Sequence, residues 1–278
     1  MTDELYQFRS RILQLPHELL VKLGQVSYQK QMFATQRKNL AMQFLRDYGI
    51  EFTELGTGTN RFIVKYDGFA LKIALDQEGV ADNKQEYVMS KQLAPDVAAT
   101  HDISSGGHLL VATYAPAFTS LSEMRLFENQ IRSILRKWST RFLLGDVGLT
   151  SVNYANWGVY NGRPVCIDYA YIFPANMNLF RCRCGNPQMV FTGNDFTTYQ
   201  CPKCKETYTD RELRARIPNE ERMRLFANVS EHSIGMRHAI EMHPSSVPIV
   251  EEYNPSAPDM NAVKDAVVRR INGGGWHC

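Results

Sequence analysis

Four closely spaced cysteines constrain the fold of this chain more than any other feature. They form a C-x-C pair at Cys182 and Cys184 and a C-x-x-C pair at Cys201 and Cys204. Two such pairs on tight turns can give four thiolates to one tetrahedral ion, and Gly185 can take the positive φ angle that the first turn needs. The intervening residues 185–200 are enough for a short hairpin. This spacing predicts a structural zinc site in which protein fills all four positions.

The alternatives to zinc are four unrelated thiols, two disulfides or an iron–sulfur cluster. Disulfides need an oxidising compartment, and the acidic start of the chain lacks the apolar run of a secretory signal. The sequence therefore predicts a cytoplasmic protein, in which clustered cysteines bind metal. Small ribbons with this spacing hold zinc more often than iron–sulfur clusters.

The bulk composition excludes several classes of protein. With 44% hydrophobic and 22% charged residues among 278, the chain can bury a core, so global disorder is not expected. The net charge of +2 is too small to imply a polyanionic partner by itself. No stretch reaches the roughly 20 apolar residues that cross a bilayer, so we expect no membrane partner.

Hydrophobic periodicity predicts helices first and strands afterwards. Apolar residues have helical spacing from residue 3 to about 48, and alternating strands begin after Glu51. Asp67-Gly68 and Asn161-Gly162 predict two hairpins with tight turns. The predicted strands are 61–66, 69–75, 109–114, 159–160 and 165–167, and the predicted later helices are 82–94, 121–143, 210–227 and 262–271. Because strands and helices do not alternate regularly, the pattern predicts an α+β fold.

A glycine loop and a strand lysine form the second candidate site. Gly56 and Gly58 lie between predicted strands, where glycine lets backbone N–H groups approach a phosphate, although a two-glycine turn is also common. Lys72 stands in the middle of an apolar strand and needs a carboxylate or a phosphate, unless it reaches solvent from an edge strand. Glu86 is the first candidate partner and Glu78 the second.

Two polar residues flank the second predicted hairpin. Asn156 precedes the hairpin and Asp168 ends its second strand, twelve positions later. An Asn and an Asp at neighbouring strand ends can share a hard cation through oxygen ligands. The same two residue types also often cap turns.

These signals occur in an order that resembles the protein-kinase-like fold. The Asp-Tyr form at Asp168 is similar to atypical families such as the selenoprotein O group. The resemblance spans roughly residues 50–210 and is closer to kinase-like proteins encoded by tailed bacteriophages. It rests on the cysteine ribbon and on the strings Gly-Thr-Gly-Thr-Asn-Arg61, Leu71-Lys-Ile-Ala74, Asn156-Trp-Gly158 and Ile167-Asp-Tyr169.

The resemblance implies ATP and Mg²⁺ as ligands and a role for each matched residue. Gly56, Gly58 and Asn60 would form the loop over the phosphates, and Lys72 would pair with Glu86. Asn156 and Asp168 would hold magnesium, and Leu109–Tyr114 would be the hinge strand. The implied organisation is a helical extension (1–49), an N-lobe (50–116), a C-lobe core (117–178), a zinc ribbon (179–209), and C-terminal helices with a proline-rich connector (210–278).

The sequence also departs from the kinase pattern. Arg61 stands where a third loop glycine is usual, and Ser151 stands where kinases place the catalytic Asp, five residues before Asn156. Asp146, ten residues before Asn156, can reach in from a longer loop or can simply be a turn residue. Phosphoryl transfer depends mainly on positioning and charge, so the protein is either an atypical phosphotransferase or an ATP-binding pseudokinase.

A second class of function is binding without catalysis. Nine basic and six acidic side chains between residues 181 and 224 leave a net charge of +3, which is compatible with a nucleic-acid or protein partner or with a solvated face. A third possibility is an assembly factor of a phage particle. The expected location is the cytoplasm of an infected cell, and a place in the virion stays open.

Overall fold

The computed structural model describes residues 15–104, 106–174, 182–186, 189–192, 196–209 and 212. Four predicted segments lie almost entirely outside these residues. They are the helices at 210–227 and 262–271, the proline-rich segment 244–258 and the start of the N-terminal helical segment. The helices are α1 (His17–Val26), α2 (Ala34–Asp47), α3 (Gln77–Leu93), α4 (Leu121–Arg125) and α5 (Glu128–Ser139).

A five-stranded antiparallel sheet dominates the first half of the chain. Its strands are β1 (Thr53–Thr57), β2 (Arg61–Tyr66), β3 (Phe69–Ala74), β4 (Thr100–Ile103) and β5 (Leu109–Thr113), in the order β1-β2-β3-β5-β4. Asp67 and Gly68 both have positive φ angles, of 48° and 83°, which suit the tight hairpin turn between β2 and β3. The predicted α+β fold class is confirmed.

The two faces of the sheet pack against different helices because strand side chains alternate. Phe62 and Val64 of β2 and Ile73 of β3 are fully buried against apolar residues of α1 and α2, including Leu23 and Leu45. Residues at the alternate positions, including Arg61 and Lys72, therefore point to the opposite face, where α3 packs. This alternation brings charged side chains of the sheet to the helix that carries Glu86.

A second core lies between the end of α3, helices α4 and α5, and a hairpin of β7 (Trp157–Tyr160) and β8 (Arg163–Cys166). The indole rings of Trp138 and Trp157 stack inside it, with centroids 5.9 Å apart. The hairpin turn has φ angles of 50° at Asn161 and 75° at Gly162, as the predicted tight turn requires.

The single helix predicted at 121–143 is wrong. The chain forms α4 and α5 instead, and Phe142–Leu143 is a short strand, β6, that pairs with β9 (Phe173–Pro174). Phe142 and Leu143 pair with strand residues about thirty positions further along the chain. A pairing over this distance leaves no local sequence pattern, so the periodicity of the segment could not predict it.

The region of the four cysteines contains a three-stranded antiparallel sheet of β10 (Val190–Phe191), β11 (Thr198–Gln200) and β12 (Thr207–Thr209). We call residues 182–209 the cysteine module. Tyr199 and Tyr208 pack with Leu143 and Phe173, so the module rests against the β6–β9 pair. Among the described residues, no helix is long and apolar enough to cross a membrane.

Candidate functional site

Lys72 is buried and bound to Glu86. Its side chain leaves β3 towards α3, and Lys72 is only 3% exposed, while Glu86 is fully buried. The Nζ atom lies 2.5 Å from Oε2 of Glu86 and donates a second hydrogen bond to the backbone oxygen of Ile167 at 2.6 Å. Of the two partners considered from the sequence, the structure therefore pairs Lys72 with Glu86. Glu78 instead accepts a hydrogen bond from Asn60.

Arg61 is a second buried cation, and the sequence pattern indicates it only as a departure from the usual loop glycine. It is the first residue of β2 and is 4% exposed. Its Nη2 atom lies 2.8 Å from Oδ1 of Asp168 and 3.0 Å from Oε1 of Glu86. Burial disfavours its charge, but Glu86, Asp168 and Asp82 outweigh burial and raise the pKa of Arg61 above its usual value. Arg61 is therefore a permanent cation inside the fold.

Helix α3 presents an acidic face to these cations. Glu78, Asp82 and Glu86 are spaced four residues apart, which places them on one side of the helix. The amide of Asn60 lies 3.3 Å from Glu78 and 3.4 Å from Asp82. The regular spacing of these three carboxylates is the sequence signal that could have identified Asp82. We call Arg61, Lys72, Asp82, Glu86 and Asp168 the charge cluster.

Asn156 and Asp168 meet at the base of the β7–β8 hairpin. The backbone oxygen of Asn156 accepts hydrogen bonds from the N–H groups of Ile167 and Asp168, at 2.8 and 3.3 Å. The side chain of Asp168 is 36% exposed, in contrast to the buried Arg61 and Glu86. Although burial opposes it, the positive charges of Arg61 and Lys72 lower the pKa of Asp168. Asp168 is thus an ionised carboxylate at the accessible edge of the charge cluster.

Asp146 lies in a turn beside this hairpin. Its backbone oxygen accepts a hydrogen bond from the side-chain amide of Asn156 at 2.8 Å, so the structure brings Asp146, Asn156 and Asp168 together. The preceding Gly145 has a φ angle of +57°, and a Cβ there would come within 2.3 Å of the oxygen of Tyr171. Ser151, at the usual position of a catalytic Asp, is exposed.

The glycine loop ends against the first turn of α3, where the amide of Asn60 donates to Glu78. Gly56 forms part of β1 at a register shift, and Gly58 donates its N–H to the oxygen of Arg61 at 2.9 Å. A Cβ added at Gly56 would meet nothing within 4 Å, and one at Gly58 would meet only the Arg61 oxygen, at 3.8 Å. The fold itself therefore does not require glycine at either position, and the space beside Gly56 is open.

The four cysteines of the cysteine module lie together. Their sulfur atoms all lie within 4.8 Å of one another, with Cys182 and Cys204 at 3.2 Å and Cys184 and Cys201 at 3.7 Å. A tetrahedral ion with metal–sulfur bonds of about 2.3 Å places its ligands about 3.8 Å apart. The sulfur separations therefore fit one metal ion. Gly185 has a φ angle of +81°, as predicted for this turn.

The surroundings of Cys201 favour a thiolate. Burial alone would raise the pKa of Cys201, but hydrogen bonds from the backbone N–H of Cys204 and the side chain of Asn186 lower it to about 6. The amide nitrogen of Asn186 lies 3.4 Å from the Cys201 sulfur. In the same cluster the backbone N–H of Glu206 lowers the pKa of Cys204, but hydrogen bonds with the other three sulfurs outweigh this and raise it to about 12. A soft set of four sulfur ligands suits a thiophilic metal ion, which would displace the remaining protons.

One hydrogen bond connects the cysteine module to the chain before Asp146. The N–H of Leu144 donates to the hydroxyl oxygen of Tyr199 at 2.9 Å, and both groups are buried. Tyr199 lies next to Gln200 and Cys201 in the module, whereas Leu144 is two residues before Asp146. The cysteine module is therefore in direct contact with the segment that leads to Asp146.

Comparison with known proteins adds no family assignment. No protein-family model matches the chain, and no curated protein matches it either.

Proposed function

We propose that the chain is a kinase-like, ATP-binding protein, either an atypical phosphotransferase or a pseudokinase. The observation that supports this best is the buried pair of Lys72 and Glu86, which Arg61 links to Asp168 at an accessible edge. A strand lysine paired with a helix glutamate and placed near a metal-binding Asp is the arrangement that positions ATP phosphates in kinases. In this proposal the five-stranded sheet with α3 forms one lobe, and α4, α5 and the β7–β8 hairpin belong to the other.

Each member of the site has a proposed role. The open loop at Gly56, Gly58 and Asn60 would lie over the phosphates, and Lys72 would contact them while Glu86 holds it in place. Asn156 and Asp168 would hold Mg²⁺, which neutralises phosphate charge when bound. Asp146 would be the base that accepts the proton of the acceptor. This proposal assigns no function to Ser151.

The proposed ion in the cysteine module is zinc, with a structural role. Four cysteine ligands leave no open position for a substrate, and zinc is the common ion of tetrahedral Cys₄ sites. Native mass spectrometry should find one zinc ion per chain in protein purified without chelators. Cys201→Ser should lose that ion, whereas Cys166→Ser, which changes a cysteine outside the module, should retain it. Retention of zinc by Cys201→Ser would contradict the assignment.

Calorimetric titration with ATP, with and without Mg²⁺, tests the nucleotide proposal. We expect wild-type protein to bind ATP in a magnesium-dependent way, and Lys72→Met and Asp168→Asn to bind at least about tenfold more weakly. Lys65→Gln is the matched control, because it removes a cation from the neighbouring strand β2 on the same face of the sheet as Lys72. Lys65 lies over the ring of Tyr114. Circular dichroism should verify that each variant is folded.

A folded wild-type protein that binds no ATP would refute the nucleotide proposal. Attention would then move to the binding alternative, in which the cysteine module contacts nucleic acid or protein. The exposed side chains of Arg183, Lys203 and Lys205 on the module are the observation that favours this second candidate. A steep fall of DNA or RNA affinity with salt concentration would support it.

A further inference from the structure

The guanidinium of Arg61 is only partly satisfied. Its Nη2 atom contacts both Asp168 and Glu86, and its Nε atom lies 3.8 Å from Asp82. Its Nη1 atom is buried, yet it has no hydrogen-bond partner among the residues that the structure describes. A buried charged nitrogen without an acceptor is costly, so this atom is a place where a ligand oxygen would be stabilised.

Arg61 differs in this respect from Lys72, the other buried cation. Lys72 Nζ already has two oxygen partners, on Glu86 and Ile167, and it also lies 5.7 Å from the ring centre of Tyr169. Arginine presents several N–H groups in one plane, a geometry that matches two oxygens of a phosphate. Arg61 is therefore the better placed of the two cations to gain a new anionic partner.

Arg61 contacts both the glycine loop and the accessible carboxylate of Asp168. It follows the glycine loop directly, and its backbone oxygen accepts the N–H of Gly58. Its side chain supplies a positive charge to Asp168, whose side chain is 36% exposed. A divalent cation that binds Asp168 would compete with Arg61 for the same carboxylate, because both are its counter-charges.

We propose that Arg61 is the anion receptor of this site and binds the phosphate chain of a polyphosphate ligand. When a divalent cation binds Asp168, the guanidinium leaves that carboxylate and turns to the ligand phosphate, while Glu86 continues to hold it. This inference deepens the proposed function and rests on it for the identity of the natural ligand. It gives the site an anion contact besides Lys72 and explains why arginine stands in the position of a third loop glycine.

Inorganic tripolyphosphate, titrated into full-length protein with Mg²⁺ present, tests this role without a nucleoside. We expect the wild type to bind it and Arg61→Gln to bind about 10- to 100-fold more weakly, as loss of a charge-assisted contact predicts. Arg61→Lys keeps the positive charge but lacks the planar guanidinium, so its affinity for tripolyphosphate should lie between those of the wild type and Arg61→Gln. Lys65→Gln, with a cation removed from the same strand face, should stay within about twofold of the wild type.

Binding of Mn²⁺ without any phosphate gives a second readout that a misfolded variant cannot imitate. Arg61→Gln removes the competitor for Asp168, so Mn²⁺, followed by loss of the free ion's electron paramagnetic resonance signal, should bind about tenfold more tightly than to the wild type. Adding Asp168→Asn to Arg61→Gln should abolish this gain. If Arg61→Gln does not fold, the tripolyphosphate affinity of Arg61→Lys decides.

The outcomes separate this inference from the proposed function. If the wild type binds neither tripolyphosphate nor ATP, or if the Arg61 variants bind tripolyphosphate as the wild type does, the inference is overturned. Magnesium-dependent ATP binding that survives in the Arg61 variants would overturn it and leave the proposed function standing. If the protein binds tripolyphosphate through Arg61 but does not bind ATP, the anion site is supported and the assignment of ATP as the ligand is refuted.

Discussion

A charged residue in the apolar strand Phe69–Ala74 is tolerated because Lys72 has a buried partner. Removing one member of a buried ion pair leaves an uncompensated charge, which costs about 3–5 kcal/mol. We expect Lys72→Met to lower the free energy of unfolding by less than this, because Arg61 still compensates part of the charge of Glu86. Combining it with Glu86→Gln should cost less than the sum of the two single changes, because the double variant removes both charges.

Urea denaturation of the four proteins in this double-mutant cycle measures the coupling. Glu86 also contacts Arg61, so Glu86→Gln should lower the free energy of unfolding more than Lys72→Met does. Single changes that add to within about 0.5 kcal/mol in the double variant would contradict a strong Lys72–Glu86 interaction.

The glycines of the loop and of the hairpin turn should respond differently to alanine. Gly56 has open space around its Cα, so Gly56→Ala should leave the free energy of unfolding unchanged or slightly raised, while ATP affinity falls because the new methyl group takes up that space. Gly68 has a φ angle of +83°, and Gly68→Ala should cost about 1–2 kcal/mol in stability. Urea denaturation and calorimetry separate the two effects. Unchanged ATP affinity in Gly56→Ala would show that the loop does not approach the nucleotide.

At the residue scale the sequence was informative where a residue type was out of place. Lys72 within an apolar strand and four clustered cysteines are both unusual, and each pointed to the contacts that the structure shows. Arg61 gave no such signal, because a cation at the start of a strand is ordinary. Its burial depends on Asp168, 107 residues further along the chain, and on α3.

At the scale of elements, the contact of Tyr199 with Leu144 joins the cysteine module to the segment that leads to Asp146. Removal of the proposed zinc ion should loosen β11, and the buried N–H of Leu144 should then lose its acceptor. We expect a chelator to increase hydrogen–deuterium exchange at Leu144 while amides of the β2–β3 pair stay protected. Exchange at Leu144 that is insensitive to the chelator would contradict this coupling.

Tyr199→Phe is the matched variant for that experiment. It removes the hydroxyl acceptor while leaving the four cysteines unchanged, so zinc should still bind. Leaving the Leu144 N–H unsatisfied should cost about 1–3 kcal/mol in the free energy of unfolding.

The sequence predicted those elements whose signals are local. Both hairpins have turns with two positive φ angles, and Asp67-Gly68 and Asn161-Gly162 are the residue pairs that accept them. Strand β4 was missed because Thr100–Ile103 lacks alternation and depends on pairing with β5. The start of α3 was placed five residues late, because Asp76 caps the helix by accepting the N–H of Gly79, which the apolar pattern does not reveal.

At the scale of the whole molecule, the candidate site joins parts that lie far apart in the chain. The sheet supplies Arg61 and Lys72, α3 supplies Glu86, and the segment directly after the β7–β8 hairpin supplies Asp168. Sequence order suggested that these parts belong together only through the kinase resemblance. The direct evidence for their meeting is three-dimensional, since Lys72 donates to the oxygen of Ile167 and Tyr169 donates its N–H to Glu86.

The stability of the whole molecule should fall in mild acid, because two half-buried histidines favour the neutral form. Burial lowers the pKa of His101 and of His108, and the charge of Lys84 adds to the effect at His108. A group whose pKa is lower in the folded state gains a proton more readily when unfolded, so stability declines as the pH falls below about 6.5. His108 matters most for the overall assembly, because its Nδ1 lies 3.0 Å from the hydroxyl of Ser27, which follows α1.

Urea denaturation at about pH 7.5 and about pH 5.5 measures this dependence, and His108→Gln should reduce it. The lowered pKa of Asp168 also makes the free energy of unfolding fall with decreasing pH, but only below about pH 4. The raised pKa of Asp76 has the opposite effect, because above about pH 4 it makes the free energy of unfolding rise as the pH decreases. The lowered pKa of Cys201, about 6, also makes stability fall between these two conditions as the pH decreases. The contribution of His108 is therefore the part of the pH dependence that His108→Gln removes. Equal pH dependence in wild type and His108→Gln would show that the contact between α1 and the sheet does not depend on a neutral imidazole, and His101 would then be the group to replace.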